Sequence, residues 1–211
     1  MPDVSTALVF SGAALALLLI PGPAVLYIVA RSASQGRRAG LVSVLGIHVG
    51  TLVHIAAAVL GLSALVVASA TAFTLVKLAG AAYLVYLGIR TLRGNDGLTD
   101  PPVDALRRST RRVFTDGVVL NILNPKTAVF FLAFVPQFVD VDAGGSATQI
   151  GAFGLLFIAL GLVTDGAYAL AGGWTGSRLR RSPRVARRSR TGAGVVYLGL
   201  GLTTALTSRS A

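Results

Sequence analysis

A few ionisable and polar side chains lie inside long apolar runs, and each is a candidate for chemistry. Asp165, in "GLVTDGAYAL", is the only acid deep in such a run; Thr164 is beside it, and Tyr168 follows three residues later on the same helical face. Because charged groups are costly in an apolar environment, they usually mark ion or substrate pathways. We predict that Asp165 carries a coupled proton or binds a substrate ammonium group, with Thr164 and Tyr168 as secondary candidates.

A second candidate, Lys126, directly follows a proline in "NILNPKTA". It is either an anchor for a substrate carboxylate, a counter-charge to Asp165, or a cation that neutralises the backbone carbonyls freed by Pro125. A structural ion pair with Lys126 is the alternative to a transport role for Asp165. Asn121 and Asn124 lie three residues apart on one helical face, where they can bind substrate or the broken backbone; a structural role is favoured for Asn121.

Two histidines, His48 and His54, lie in "GIHVGTLVHIAA". Six residues correspond to about 240° around a helix, so the pair does not share a narrow face and a common metal ion is not expected. Histidine titrates near neutrality and can relay protons. For His54 a relay and a structural hydrogen bond are both open, whereas for His48 the structural role is favoured. The chain has no cysteine, and we expect no metal and no cofactor.

Composition indicates the environment that these residues occupy. Hydrophobic residues make up 54% of the 211 residues and charged residues 13%, and the mean hydropathy is +0.73. An average soluble domain has about twice that charged fraction. Several apolar runs reach the roughly 20 residues that a membrane-spanning helix needs. The sequence therefore predicts an all-α, polytopic membrane protein with a single transmembrane domain over residues 1–211.

Hydropathy predicts six spans, and the arginines predict their orientation. Sixteen of the seventeen arginines fall in alternate loops, which the positive-inside rule assigns to the cytoplasm, so both termini face outward. The net charge of +11 is thus explained by topology, and no nucleic-acid partner is expected. The predicted spans cover approximately residues 5–30, 40–67, 70–92, 114–139, 148–174 and 191–208.

Six spans divide into two sets of three, which predicts inverted repeats. Repeat one covers about residues 5–92, a cytoplasmic linker about 93–113, and repeat two about 114–208. The first helix of each repeat is interrupted by proline near the middle of the membrane, at 20–25 and at 121–128. Paired interruptions free backbone groups that can bind a zwitterion at the midplane, as in many secondary transporters. A simple proline kink is the alternative at either position.

Four short motifs resemble those of the LysE/RhtB family of amino-acid exporters. The similarity extends over roughly residues 5–205, and the motifs are specific as a set. They are Pro21-Gly22-Pro23, Gly80 with Tyr83-Leu84 and Gly88, Asn124-Pro125-Lys126, and Pro136-Gln137-Phe138.

This resemblance implies export of amino acids or close derivatives across a bacterial inner membrane, driven by the proton gradient. The expected partners are a small amino-acid substrate, protons and membrane lipids, and a homo-oligomer is left open. A passive pore or a non-transporting membrane protein of the same fold is the main alternative. An intramembrane enzyme that pairs Ser11 with His54 has no supporting motif, so we predict that the protein is not an enzyme.

Overall fold

The computed structural model describes residues 3–68, 108–141 and 143–181, together with isolated positions between 75 and 93 and between 191 and 202. Apart from those isolated positions, the predicted third and sixth spans and most of the linker lie outside the described residues. Every regular element in the described part is helical. The elements are α1 (Val4–Leu18), α2 (Pro23–Gln35), α3 (Arg37–Ala68), α4 (Thr110–Ile122), α5 (Pro125–Val129), a π-helical turn (Phe130–Phe134), a 3-10 turn (Val135–Phe138) and α6 (Ser146–Arg181).

The described segments contain two helices, or four if each bent pair is one span, that are long and apolar enough to cross a membrane. Two are continuous helices, Arg37–Gly61 within α3 and Ser146–Gly172 within α6. Two more are bent pairs: α1 with α2, at 56°, and α4 with the segment Pro125–Phe138, at 47°. At about 1.5 Å per residue, each continuous span exceeds the ~30 Å hydrocarbon core. The predicted all-helical class and both predicted interruptions are confirmed.

The first interruption follows from the two prolines of "PGP". Pro21 lacks an amide hydrogen and its ring clashes with the carbonyl four residues earlier, so α1 ends at Leu18. Gly22 is the N-cap of α2, and Pro23 occupies the first turn, where a missing amide hydrogen costs nothing. The chain therefore leaves one helix and begins the next within four residues.

The second interruption is stabilised by its own side chains. α4 ends at Ile122, and Pro125 begins α5. The Asn124 side chain caps α5 by accepting a hydrogen bond from the Lys126 amide at 3.1 Å. Because Asn is among the best N-cap residues, "NPK" ends one helix and starts another.

Helix ends extend beyond the spans that hydropathy predicted. The first broken span continues to Gln35 rather than 30, and α3 begins at Arg37 rather than 40. Arginine is a good helix former but lowers hydropathy, so hydropathy ends a span before the helix ends. A single residue, Gly36, separates the two helices and has a φ of 90°, a backbone angle that favours glycine.

Glycines bring α3 and α4 into backbone contact. A Cβ atom at Gly46 would overlap the carbonyl of Phe114, and one at Gly50 would lie 2.8 Å from the carbonyl of Val118. Gly117 faces α3 in return, with the carbonyl of Ser43 3.2 Å from its would-be Cβ. Small residues allow such approaches in membranes, and Gly46 and Gly50, spaced four residues apart, form the packing face of α3 toward α4.

Seven phenylalanines form the core beside the second broken span. Phe10 is fully buried, and its ring centroid lies 4.7 Å from that of Phe153 and 5.3 Å from that of Phe138. Such edge and offset ring contacts are favourable beyond simple burial. The cluster fixes α1 and α6 against the segment that follows α5. Its members are Phe10, Phe130, Phe131, Phe134, Phe138, Phe153 and Phe157.

Candidate functional site

Residues of both helix breaks line one small, partly open cavity. Its volume is about 30 Å³, and α3 and α6 complete its wall. A water molecule needs at least about 10–15 Å³ by this measure, so the cavity has space for roughly two waters. An amino acid cannot enter unless the wall moves. The polar side chains of the lining are those of His48, Thr51, Asn121, Asn124, Lys126, Thr127 and Asp165.

Lys126 links the two breaks. Its Nζ atom donates to the carbonyl of Leu17 at 2.6 Å and to the carbonyl of Ile20 at 2.8 Å. Leu17 lies in the last turn of α1, where Pro21 removes its helical donor and the Ile20 amide replaces it at 3.2 Å, and Ile20 lies just beyond the end of the helix. The negative end of a helix attracts a cation, so Lys126 stabilises this exposed terminus. Gly22 allows the approach, because a Cβ there would lie 3.2 Å from the lysine Cδ.

The expectation that Lys126 neutralises carbonyls freed by Pro125 is therefore wrong. The carbonyl that loses its helical donor to Pro125 is that of Asn121, and it already has another partner. The carbonyl of Val119 accepts from the amide of Leu123, and that of Asn121 accepts from the amide of Asn124 at 3.0 Å. Because these carbonyls at the second break have other partners, the Lys126 side chain is free to bind the carbonyls at the first break.

Tyr168 also stabilises the first break. Its hydroxyl donates to the carbonyl of Leu19 at 2.8 Å, between the two carbonyls that Lys126 contacts. Tyr168 shares a helical face with Asp165, as the spacing predicted, and this face of α6 turns toward the end of α1. The structure thus brings α6, α1 and α5 together at one point.

Asp165 pairs with a histidine rather than with Lys126. Its Oδ2 atom lies 3.3 Å from Nε2 of His48, and both side chains are at most 6% exposed. The atoms are close but not aligned for a hydrogen bond, and Nδ1 of His48 has no hydrogen-bond partner. Gly161 makes space for the ring, because a Cβ there would overlap it. Within the described segments no ion pair joins Asp165 to Lys126.

Asn121 is the centre of a structural network. Its amide donates to the carbonyl of Ile47 and to Oγ1 of Thr51, both at 2.9 Å. Its Oδ1 atom accepts from Thr127 at 3.1 Å and from Asn124 at 3.3 Å. Because its donors and acceptor are all engaged, Asn121 ties the second break to α3. This arrangement agrees with the structural role favoured for it.

His54 faces away from the Asp165 pair. Its Nε2 atom lies 2.9 Å from the carbonyl of Asn121, and its ring is parallel to that of Phe131 with centroids 6.4 Å apart. Ser11 is not its partner, because the serine hydroxyl donates to the carbonyl of Ala7 at 2.7 Å. A proton-relay role for His54 stays a prediction, and the geometry places His48 nearer to the acid.

Thr164 is turned toward its own helix. Its hydroxyl is bonded to the carbonyls of Leu160 and Gly161, at 3.2 and 3.3 Å. Two threonines that the sequence did not single out, Thr51 and Thr127, line the cavity instead. Thr51 follows His48 by three residues and shares its helical face, a spacing that signals its position.

Two broken helices that meet at a small cavity with several polar side chains in its wall are typical of one class of membrane protein. In membrane proteins, irregular backbone is tolerated only where it is buried in protein or lines a cavity, and discontinuous helices of this kind form the binding sites of secondary transporters. The LysE type translocator family matches residues 15–208. The chain belongs to this family, as its motifs predicted. The family is one of translocators and not of enzymes.

The most similar relatives include membrane proteins and an efflux protein. The chain is 32% identical over 197 residues to an uncharacterized membrane protein of Vibrio cholerae, covering 93% of this chain and 91% of the relative. It is 33% identical over 197 residues to the membrane protein PA4757 of Pseudomonas aeruginosa, covering 88% of each. It is 37% identical over 123 residues to the homoserine/homoserine lactone efflux protein of Salmonella typhimurium, covering 58% of this chain and 59% of that one. No solved structure matches the chain.

Proposed function

We propose that this protein exports an amino acid or a close derivative from the bacterial cytoplasm in exchange for protons. The observation that carries the proposal is the shared cavity, where two broken helices meet a buried acid–histidine pair. The chain's membership of a translocator family and its similarity to a homoserine/homoserine lactone efflux protein support it.

The two helix ends at the first break, the end of α1 and the start of α2, have opposite partial charges that match those of a zwitterionic substrate. α2 begins at the cavity with Gly22 as N-cap and no side-chain cap, and among the described residues nothing accepts from the amides of Ala24 and Val25. The positive end of a helix and free amides attract a carboxylate. The carbonyls at the end of α1 attract a cation. One molecule with both groups, a free amino acid, matches this pair of helix ends.

Asp165 is the proposed proton carrier, and His48 its partner. Acid and imidazole side chains in series form proton relays in many transporters. A proton on either group changes the charge of the pair, and therefore the attraction of the cavity for a substrate ammonium. His54, one turn and a half further along α3, is a secondary candidate for the route of the proton.

The complete architecture is proposed to be six spans in two inverted repeats, with both termini outside the inner membrane. Support comes from the bent first span of each proposed repeat, at 56° and 47°, and from the arginine distribution. The similar position of the two breaks within their repeats is what an inverted pseudo-symmetry requires.

Single cysteines test this orientation, because the natural chain has none. Ser5 and Ser34 are exposed at opposite ends of the first bent span. We expect a membrane-impermeant maleimide to label Ser5→Cys in intact cells and to label Ser34→Cys only after the membrane is opened. Labelling of Ser34→Cys alone in intact cells would mean that the orientation is reversed.

Transport by everted membrane vesicles tests the function. Vesicles that contain the protein should accumulate radiolabelled homoserine when respiration acidifies their interior, with saturable kinetics, and a protonophore should abolish accumulation. Vesicles without the protein provide the control, and unlabelled amino acids added as competitors define the substrate range. Uptake that rises linearly with substrate concentration and is unaffected by the protonophore indicates a passive pore. Absence of uptake for every amino acid and derivative tested contradicts the export proposal.

A further inference from the structure

Lys126 has the chemical group and the position that an amino-acid substrate requires. A primary ammonium is held by the carbonyls of Leu17 and Ile20, at 2.6 and 2.8 Å, beside the cavity that Leu17 and Lys126 line. These are the carbonyls that an interrupted helix offers to a cation. The group that now satisfies them is a lysine 106 to 109 residues away in the sequence.

We propose that the carbonyls of Leu17 and Ile20 form the subsite for the substrate ammonium, and that Lys126 occupies this subsite in the present conformation. A substrate binds by displacing the lysine ammonium with its own. This inference rests on the proposed function and adds to it the atoms that recognise the amine and the side chain that competes with it.

Exchange of one ammonium for another is chemically balanced. Two backbone carbonyls lose one charged donor and gain an equivalent one, so no carbonyl is left without a partner in the membrane. The displaced lysine keeps a compensating charge, because the carboxylate of Asp165 lines the same cavity. Gly22 offers little obstruction, since it presents only hydrogen atoms to the lysine stem.

Occupation by Lys126 also explains why the cavity is small. With the lysine in place only about 30 Å³ is open, because its side chain fills space at the point where the two breaks meet. An amine that displaces the lysine opens space for the rest of the substrate. A molecule without an ammonium group cannot replace the lysine at these carbonyls, so the lysine makes the site selective for amines.

Thermal unfolding of the full-length protein in detergent tests the subsite without any transport. The probe is methylammonium, and tetramethylammonium, which has the same charge but no hydrogen to donate, is the matched control. In Lys126→Met the carbonyls lack their cation, so methylammonium should raise the Tm by about 3–6 °C at about ten times its Kd. Tetramethylammonium should not, and the wild type should respond to neither ion.

In a second variant, the lysine side chain is removed by mutation and then restored by chemical modification of the same protein. Because the chain has no other cysteine, Lys126→Cys is the only thiol. Reaction with 2-bromoethylamine forms a thioether with loss of bromide, and the product has the length and ammonium of lysine. We expect methylammonium to raise the Tm before alkylation and to have no effect afterwards.

Each outcome decides the proposal. A Tm rise in the variants with methylammonium only, or recovery of folded variants only when methylammonium is present, supports it. No response in either variant, an equal response in the wild type, or variants that stay unfolded with methylammonium overturn it. A positive Tm result without vesicle uptake rejects the export function but keeps the amine subsite; uptake without the Tm result does the reverse.

Discussion

Asp165→Asn vesicles should no longer accumulate substrate in response to a proton gradient, and uptake should fall to the level that a protonophore leaves in the wild type. Asparagine has nearly the same shape as aspartate but cannot gain or lose a proton at physiological pH. It also keeps an oxygen near Nε2 of His48, so the contact between α3 and α6 survives. The expected defect is in coupling and not in folding.

Counterflow distinguishes loss of coupling from loss of binding. Preloaded Asp165→Asn vesicles should still exchange internal for external substrate with the gradient abolished, because exchange requires no net proton movement. The matched control is Asp140→Asn, an exposed acid in the connection before α6 and away from the cavity, which should accumulate substrate like the wild type. Gradient-driven accumulation by Asp165→Asn would show that the proton travels by another route, with His54 as the next position to replace.

Gly46→Ala should destabilise the protein more than any other glycine-to-alanine change at the contact between α3 and α4. The new methyl group would overlap the carbonyl of Phe114, a backbone atom that cannot rotate away. Overpacking of this kind costs about 1–3 kcal/mol and sometimes more. The displaced α4 would also shift Asn121 and the second break, so transport should be lost with stability.

Thermal unfolding measured by size-exclusion fluorescence checks this prediction. Gly12→Ala is the matched control, because it is also a helical glycine but a Cβ there meets nothing within 4 Å. Alanine is a better helix former than glycine, so this variant should be at least as stable as the wild type. Equal Tm values for Gly46→Ala and Gly12→Ala would contradict the close contact of the two helices.

Much of the fold is readable from local sequence because the bilayer imposes strong local rules. Long apolar runs with few charges must be helices in a membrane, since hydrocarbon offers no partner for backbone groups. Proline disrupts a helix interior but is compatible with the first turn of a new helix, so "PGP" and "NPK" determine where the first and fourth predicted spans bend. Gly46 and Gly50 indicate a packing face because residues four apart lie on the same side of one helix, which is again a local property of the sequence.

The partners within the site could not be predicted in this way. Lys126 reaches the end of α1 rather than the end of α4, and Asp165 faces His48 rather than Lys126. Each of these contacts depends on how two helices are rotated and shifted against each other. The rotation and shift of one helix against another are fixed by packing over many residues, such as Gly161 against the His48 ring. They cannot be deduced from the spacing of residues within one helix.

The sequence by itself thus determined the environment, the helical class, the two breaks and the set of polar residues able to do chemistry. Only the tertiary structure decided which of them meet. It placed His48 beside Asp165 and turned His54 to the carbonyl of Asn121, although both histidines lie on α3. The physical reason is that helix formation in a membrane is a local consequence of hydrogen bonding, whereas the pairing of buried polar groups depends on the packing of helices distant in sequence.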